Sequence, residues 1–470
     1  MGASKEAKNE TIIGSGPTGG SYVNLQVWIG DPLEPTKGLT IPTESIDRFS
    51  VKENIFTMLP TLEMHIQDKD KFFRKHALCI GDMINIEMLP SPATKEGDEE
   101  DDDLDPFLMC SFVIQTVSCV PDNENNTFTY VVLGIYAAQP LINEVSFYPT
   151  KGPLGLPSVY EKVESDKVID IMATEAGLGL VCDCEPDDKS YWLNANETRG
   201  AFIERIIDHA WVGEGNAPVI YTDVFGTLHY TSIKNLCENA TGVTFADMAS
   251  NASAGAPKKS PTILFSQAKC LNAGGPILNR GGYTLKYSLM NPYNKLGIDE
   301  KEMPRWGVNG IAGVVNAGIG TDTHGTKDRS EGWREKSYSV DKTFIANVNN
   351  KQASEMDNVT IHQDGGMWFD ELHTHYNIAP KHNEMVRRSF FTNFVNVAVD
   401  TSRQGSLYDK SAYRPELGDV VDVDFSSSVN NKIDGIHSGP YCVAEIVHKY
   451  MKKKPYTQSI TFVNDGYFGK

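Results

Sequence analysis

The chain has 470 residues, 62 of them acidic and 43 basic, for a formal charge of −19. That length exceeds what a single core organises and points to several domains. The acidic balance argues against a surface built to hold nucleic acid, because phosphates are repelled unless charge is locally reversed. No apolar run reaches the roughly 18 residues of a membrane span, and no signal-peptide core opens the sequence. The expectation is a soluble protein made in the cytosol, without membrane insertion.

Residues 1–21 are polar and rich in Gly and Ser, including Gly14–Ser21. A phosphate loop needs a leading strand and a Gly-Lys-Ser/Thr ending, and both are missing, so this segment reads as a flexible arm. From Tyr22 onward strand patterns follow one another: Val23–Trp28, Asp47–Phe56 and Thr61–Gln67. Strand after strand without helical spacing argues for an antiparallel sandwich or barrel.

Next comes a pattern that the chain uses twice. Gly81-Asp82 leads into Met83–Met88, then Phe112–Val117, then Phe128–Leu133; Gly418-Asp419 leads into Val420–Phe425, then Tyr441–Ile446, then Tyr456–Phe462. Alternation puts Ile84, Ile86 and Met88 on one strand face, and Val421, Val423 and Phe425 on the matching one. The opposite faces carry Asn85 and Glu87, or Asp422 and Asp424, and are expected to be polar. Two such meanders in the same order predict a duplicated β domain.

In the first copy eight of the ten residues 96–105 are acidic, which predicts a solvated loop between strands. The alternating ligands, central Gly and closing Glu of an EF-hand are absent from it. After Pro157 the period changes. Ser165–Ala176 has helical spacing, with Ser165 or Asp166 as cap, and Glu197–Trp211 carries an apolar stripe (Phe202, Ile203, Ile206, Ile207, Ala210, Trp211) with Asn196 placed to cap it. Val219–Asp223 and Thr227–Ser232 flank Val224-Phe225-Gly226 as a hairpin. Residues 159–236 therefore read as an α/β unit. Residues 237–385 are rich in Gly, Asn and Ser, with strand-like pieces such as Thr262–Ala268, and alternation resumes at Thr392–Asp400.

Chemistry-bearing motifs are sparse. The eight cysteines (79, 110, 119, 182, 184, 237, 270 and 442) suit small reduced core residues better than a disulfide framework, and Cys182-Asp-Cys184 has no second pair to complete a zinc site. Asp370, Glu371, His373 and His375, with His362, His382 and Glu384 nearby, form the one cluster resembling a metal or hydrolase site. It lacks the His-Glu-x-x-His spacing, and a polar connection ahead of the basic segment Lys381–Arg388 explains it as well. Lys452–Pro455 reads as a basic hairpin tip. No nucleophile elbow occurs, so no catalytic, cofactor-binding or metal-ligating residue is named.

The order of parts, with the two Gly-Asp strands, Trp192 and Trp211 beside the helices, the hairpin Tyr221–Tyr230 and the closing Ser438–His448, resembles the baseplate hub proteins of tailed bacteriophages. Those proteins are related to the base of the type VI secretion spike. The resemblance covers residues 22–236 and 390–470. It implies an α+β, mainly β fold: an arm (1–21), a first tube-like barrel (22–158), an α/β domain (159–236), an irregular insertion able to supply strands to the second barrel (237–385), and that barrel (386–470). It further implies a non-enzymatic homotrimer in the virion tail baseplate, assembled in the host cytoplasm. Its partners would be the tail tube, the central spike, and tape-measure and wedge proteins, with DNA passing through the lumen. A metal-dependent hydrolase using His373 and His375, and a host-binding adhesin, are the alternatives.

Overall fold

The computed structural model describes residues 23–34, 37–68, 73, 76–90, 106, 108–122, 127–144, 159–194, 197–213, 216–247, 262–272, 300–302, 344–346, 379–391, 393–400, 414–425 and 437–464. The acidic loop 96–105 and the N-terminal arm lie outside them.

The first barrel uses β1 (Val23–Ile29), β2 (Leu39–Thr40), β3 (Ile46–Asn54), β4 (Thr61–Asp68), β5 (Met83–Pro90), β6 (Leu108–Asp122) and β7 (Thr127–Tyr136). They pair in the order β3-β4-β7-β6-β5-β1-β2. A 3-10 turn, Thr43–Ser45, joins β2 to β3, so these two share one place in the ring and close it. The Ile41 amide continues the closing ladder by donating to the Val27 carbonyl at 2.8 Å. Ile84, Ile86 and Met88 point into the core as their alternation predicts. Asn85, expected on a polar face, is buried as well. Its amide donates to the Gly30 carbonyl at 3.0 Å and its oxygen accepts from Ser111 Oγ at 2.6 Å. A buried amide is stable there because both of its ends are satisfied.

A short helix, α1 (Gln139–Ile142), leads to the α/β unit: β8 (Val159–Val163), α2 (Ser165–Glu175), β9 (Gly179–Cys182), β10 (Ser190–Leu193), α3 (Arg199–His209), β11 (Pro218–Thr222), β12 (Thr227–Ser232) and α4 (Ile233–Glu238). The two helices and the hairpin lie where the sequence places them; their caps do not. Glu164 rather than Ser165 or Asp166 occupies the N-cap of α2, without a side-chain bond. Instead Asp188 Oδ1 accepts the Ser165 amide at 2.9 Å while its Oδ2 accepts the Trp211 amide at 3.2 Å. Thr198, not Asn196, caps α3, its hydroxyl accepting the Ala201 amide at 3.1 Å.

The second barrel draws β13 (Ala240–Asp247) and β14 (Thr262–Asn272) from the segment 237–385, expected to be irregular but able to supply strands to it. A separate short pair, β15 (Glu300–Glu302) and β16 (Phe344–Ala346), follows; then come α5 (Ala379–Phe390), β17 (Asn393–Asp400), β18 (Val420–Asp424), β19 (Gly439–Met451) and β20 (Thr457–Asn464). The ring runs β13-β14-β17-β20-β19-β18 and closes through β18 on β13. By chain order this is the circuit of the first barrel. The duplication reaches the backbone: the Gly81 amide donates to Ile114 O at 2.9 Å and the Ile114 amide to Asp82 O at 2.9 Å, while Gly418 donates to Val443 O at 2.9 Å and Val443 to Asp419 O at 2.8 Å. The register shift between Ile114 and Thr116 on β6 recurs between Val443 and Glu445 on β19. The shift between Ile46 and Arg48 on β3 recurs between Phe265 and Gln267 on β14.

One strand departs from the expected antiparallel barrel. β1 is antiparallel to both neighbours, whereas β13 is parallel to both. Side chains have also traded volume: where the second barrel buries Phe462, the first has Gly134, and a Cβ there would stand 2.9 Å from the Phe112 Cβ.

Candidate functional site at the junction of the barrels

The two rings are joined edge to edge. β3 pairs antiparallel with β19 from Arg48↔Met451 to Asn54↔Glu445, which makes one continuous sheet of both barrels. The Ile55 amide extends the seam by donating at 2.9 Å to the carbonyl of Ala444, the bulged residue of β19. Outside the seam, Lys52 Nζ sits 2.7 Å from Glu445 Oε2; inside it, the Phe49 and Tyr450 rings stack at 5.3 Å.

At the centre lies a buried polar group of three. Glu53 shares the inward phase of Phe49 and Val51, and His448 that of Ile446 and Tyr450, so both enter the interior although neither is apolar. Glu53 Oε1 is 3.0 Å from His448 Nε2, and His448 Nδ1 meets the Tyr456 hydroxyl. Glu53 Oε2 accepts the Val224 amide at 3.1 Å, from the tip of the β11–β12 hairpin. One carboxylate thus ties the first barrel to the second and to the α/β unit. Burial, and after it the charge of Glu53, pushes the Cys110 thiol well up; burial does the same to the Tyr456 hydroxyl. Both stay neutral.

The α/β unit holds the second barrel at two more places. The Tyr221 hydroxyl donates to Leu417 O at 3.0 Å, beside the Gly418 turn, and Asn239 Nδ2 donates to Asp419 Oδ1 at 3.0 Å. The basic segment Lys381–Arg388 is part of α5, whose Val386 and Phe390 are buried. Asn383 Nδ2 donates to Ala210 O at 2.9 Å and Asp208 O at 3.1 Å, and Arg387 Nε donates to Pro218 O at 3.0 Å. Asn383 thereby satisfies carbonyls left open at the end of α3, and Arg387 ties α5 to the start of β11. His382 is a buried core residue whose ring lies tilted at 43° to that of Trp211, with ring centres 4.5 Å apart.

Of the remaining cluster, Glu384 is half-buried on α5, while His362, Asp370, Glu371, His373 and His375 lie outside the described residues. Among the described residues no group of three or more His, Cys, Asp or Glu is placed to hold a metal, and no helix is long and apolar enough to cross a membrane. Cys182 Sγ donates to the Cys184 carbonyl at 3.2 Å; the neighbouring Cys184 thiol lowers the pKa of Cys182, while the Cys182 thiol and, after it, burial raise that of Cys184. The core expectation holds for Cys110, Cys184, Cys237 and Cys442, but Cys79, Cys119, Cys182 and Cys270 are exposed. Lys452–Pro455 is the tip of the β19–β20 hairpin, where the Lys452 amide donates to Asp47 O at 2.8 Å and Lys454 is exposed.

A 43 kDa tail protein of prophage MuSo2 from Shewanella oneidensis superposes with a TM-score of 0.52 at 12% identity, over 94% of this chain and 98% of that one. The fold is that of a phage tail protein. A tail protein from Neisseria meningitidis MC58 gives a TM-score of 0.47 at 8% identity, over 95% and 98% of the two chains. An Escherichia coli component of the type VI secretion system, described as similar to two T4 phage tail proteins, gives 0.41 at 8% identity, over 94% of this chain and 79% of that one. No protein-family model and no curated protein sequence matches the chain. The likeness is therefore one of fold, at 12% sequence identity.

Proposed function

We propose that the protein is the structural hub of a bacteriophage tail baseplate: a homotrimer that adapts a sixfold tail tube to a threefold central spike and lines part of the DNA channel. The observation that carries this reading is the pair of rings with one circuit, held edge to edge by β3 and β19. Three chains bearing two such barrels each present six similar units to a sixfold neighbour while keeping threefold symmetry toward the other. The whole-length likeness to a phage tail protein supports it at the level of fold. The charge of −19 suits a wall past which phosphates slide without being held. The role asks for no catalysis, and the junction has the features of a mechanical joint: buried and fully bonded.

Tube and spike proteins are the direct partners, with tape-measure and wedge proteins in further contact, in the tail baseplate of the virion. Electron microscopy of the purified protein tests the reading. Particles with threefold symmetry and six barrel-like units in a ring are expected; any other symmetry overturns it.

A further inference from the structure

Cys182-Asp183-Cys184 is a close thiol pair that neither the barrels nor their junction use. Cys182 is the last residue of β9, and Cys184 lies in the bend that follows. The first thiol is exposed and the second is buried. Cys182 Sγ donates to the Cys184 carbonyl at 3.2 Å and is hydrogen-bonded to the Cys184 thiol, which itself donates to the Tyr230 carbonyl at 3.8 Å. Two bonds that use no sulfur hold the residue between them. The Asp183 amide donates to Tyr230 O at 3.0 Å, and Asn235 Nδ2 donates to Asp183 O. The turn that brings the two sulfurs together therefore does not depend on either thiol.

We propose that Cys182 and Cys184 form a redox modification site, at which hydrogen peroxide converts the two thiols into an intramolecular disulfide that a thiol reductant reopens. This goes beyond the hub reading and does not rest on it. The unequal exposure assigns the order of events. Cys182 sulfur, reached from solvent as its thiolate, attacks a peroxide oxygen; the O–O bond breaks, the departing hydroxide takes a proton to become water, and Cys182 is left as a sulfenic acid. Cys184 sulfur then attacks Cys182 sulfur, the S–O bond breaks, and the second hydroxide leaves as water with the Cys184 proton. Two thiols and one peroxide give one disulfide and two waters, the sulfurs losing the two electrons that the peroxide gains.

The surroundings favour a small neutral oxidant and a reversible bond. The carboxylates of Asp166 and Asp183 act on Cys182, and those of Asp188 and Asp166 on Cys184. Lys167, the cation beside them, is paired with Asp166 Oδ2 at 2.9 Å. Such a field repels an anionic disulfide such as oxidised glutathione and does not act on uncharged peroxide. Two residues of extended chain span up to about 7 Å, at the upper limit of the roughly 4.4–6.8 Å between Cα atoms in disulfides. The bond closes under strain, and strained, exposed disulfides are the readily reduced ones.

Peptide mapping of the full-length protein tests this. The reduced protein is treated with hydrogen peroxide, quenched with catalase, alkylated with N-ethylmaleimide in urea and digested with trypsin. The peptide Val168–Lys189 holds Cys182 and Cys184 and no other cysteine. It is expected to appear unalkylated and two hydrogens lighter than its reduced form, and to become doubly alkylated when dithiothreitol precedes the maleimide. Its thiols should be lost several-fold faster than those of the exposed Cys79 and Cys119, and far more slowly when oxidised glutathione replaces peroxide. Cys184→Ser should leave Cys182 as a sulfenic acid that dimedone traps, and Cys182→Ser should leave Cys184 reduced. A doubly alkylated peptide at a peroxide dose that oxidises Cys79 and Cys119 overturns the proposal. So does Cys182 sulfinic acid beside an intact Cys184 thiol in the unsubstituted protein, because the second sulfur would then not resolve the first.

Discussion

Glu53 and His448, 395 positions apart in sequence, lie 3.0 Å apart across the seam between the barrels, and both are buried. The second oxygen of Glu53 takes the Val224 amide, so removing the carboxylate orphans groups on two other parts of the chain at once. Glu53→Ala is expected to cost about 3–5 kcal/mol, the scale for stripping one partner from a buried pair. Urea unfolding measures it. A loss under about 1 kcal/mol, the net worth of an ordinary hydrogen bond, would show that the junction does not depend on this carboxylate.

The duplicated turns should respond unequally to the same change. Gly81 and Gly418 have φ of 94° and 89°, where a side chain is strained by about 1–2 kcal/mol. A Cβ on Gly81 meets nothing within 4 Å, whereas one on Gly418 would stand 2.6 Å from Leu236 Cδ2 and 3.0 Å from the Tyr221 hydroxyl. Gly81→Ala should show the backbone strain alone, and Gly418→Ala roughly 1–3 kcal/mol more from overpacking. Equal thermal shifts for the two variants would contradict this.

Burial raises the Asp188 carboxyl from 3.8 to about 6, against the two amides that hold it. The folded protein therefore binds this proton more tightly than the unfolded chain does. The contribution is stabilising below about pH 4 and falls as pH rises to about 6, by roughly 3 kcal/mol over the two-unit shift. Asp188→Asn keeps one acceptor and no charge; it should be less stable at low pH, with the gap to the native protein narrowing between pH 4 and 7. A gap independent of pH in denaturation curves would count against the assignment.

Asn383 holds α5 on the end of α3 by donating to Asp208 O and Ala210 O. Asn383→Ala leaves those carbonyls buried without their donor, and about 1–3 kcal/mol should be lost. Amide hydrogen exchange over Arg199–His209 should quicken in the variant; unchanged exchange there would show that α5 does not lock α3.

Much of this architecture was legible in the sequence because two signals agree wherever a strand has one dry face. Ile84, Ile86 and Met88, and likewise Val421 and Val423, follow the period of two and are buried. The α/β unit was legible for the same reason in a period of 3.6, as in Phe202, Ile203, Ile206 and Ile207. The caps were not: Asp188 reaches Ser165 from 23 positions away, and no local pattern encodes that. β14 was legible only as far as Ala268, because Gln267–Leu271 is exposed on both faces and shows no alternation. Glu53 and His448 carried a signal that went unused, since each puts an ionisable group in the apolar phase of its strand.

The reversed strand β13 has a mechanical consequence. Because it runs parallel to its neighbours, it starts at the end of the ring where α4 finishes, and only Asn239 separates Glu238 from Ala240. The Val420 amide donates to the Asn239 carbonyl at 2.8 Å, so even that residue is pinned. One residue spans at most about 3.6 Å. A load that shifts the α/β unit further than this has no slack to take up, and must either carry the second barrel with it or draw β13 out of its place between β14 and β18.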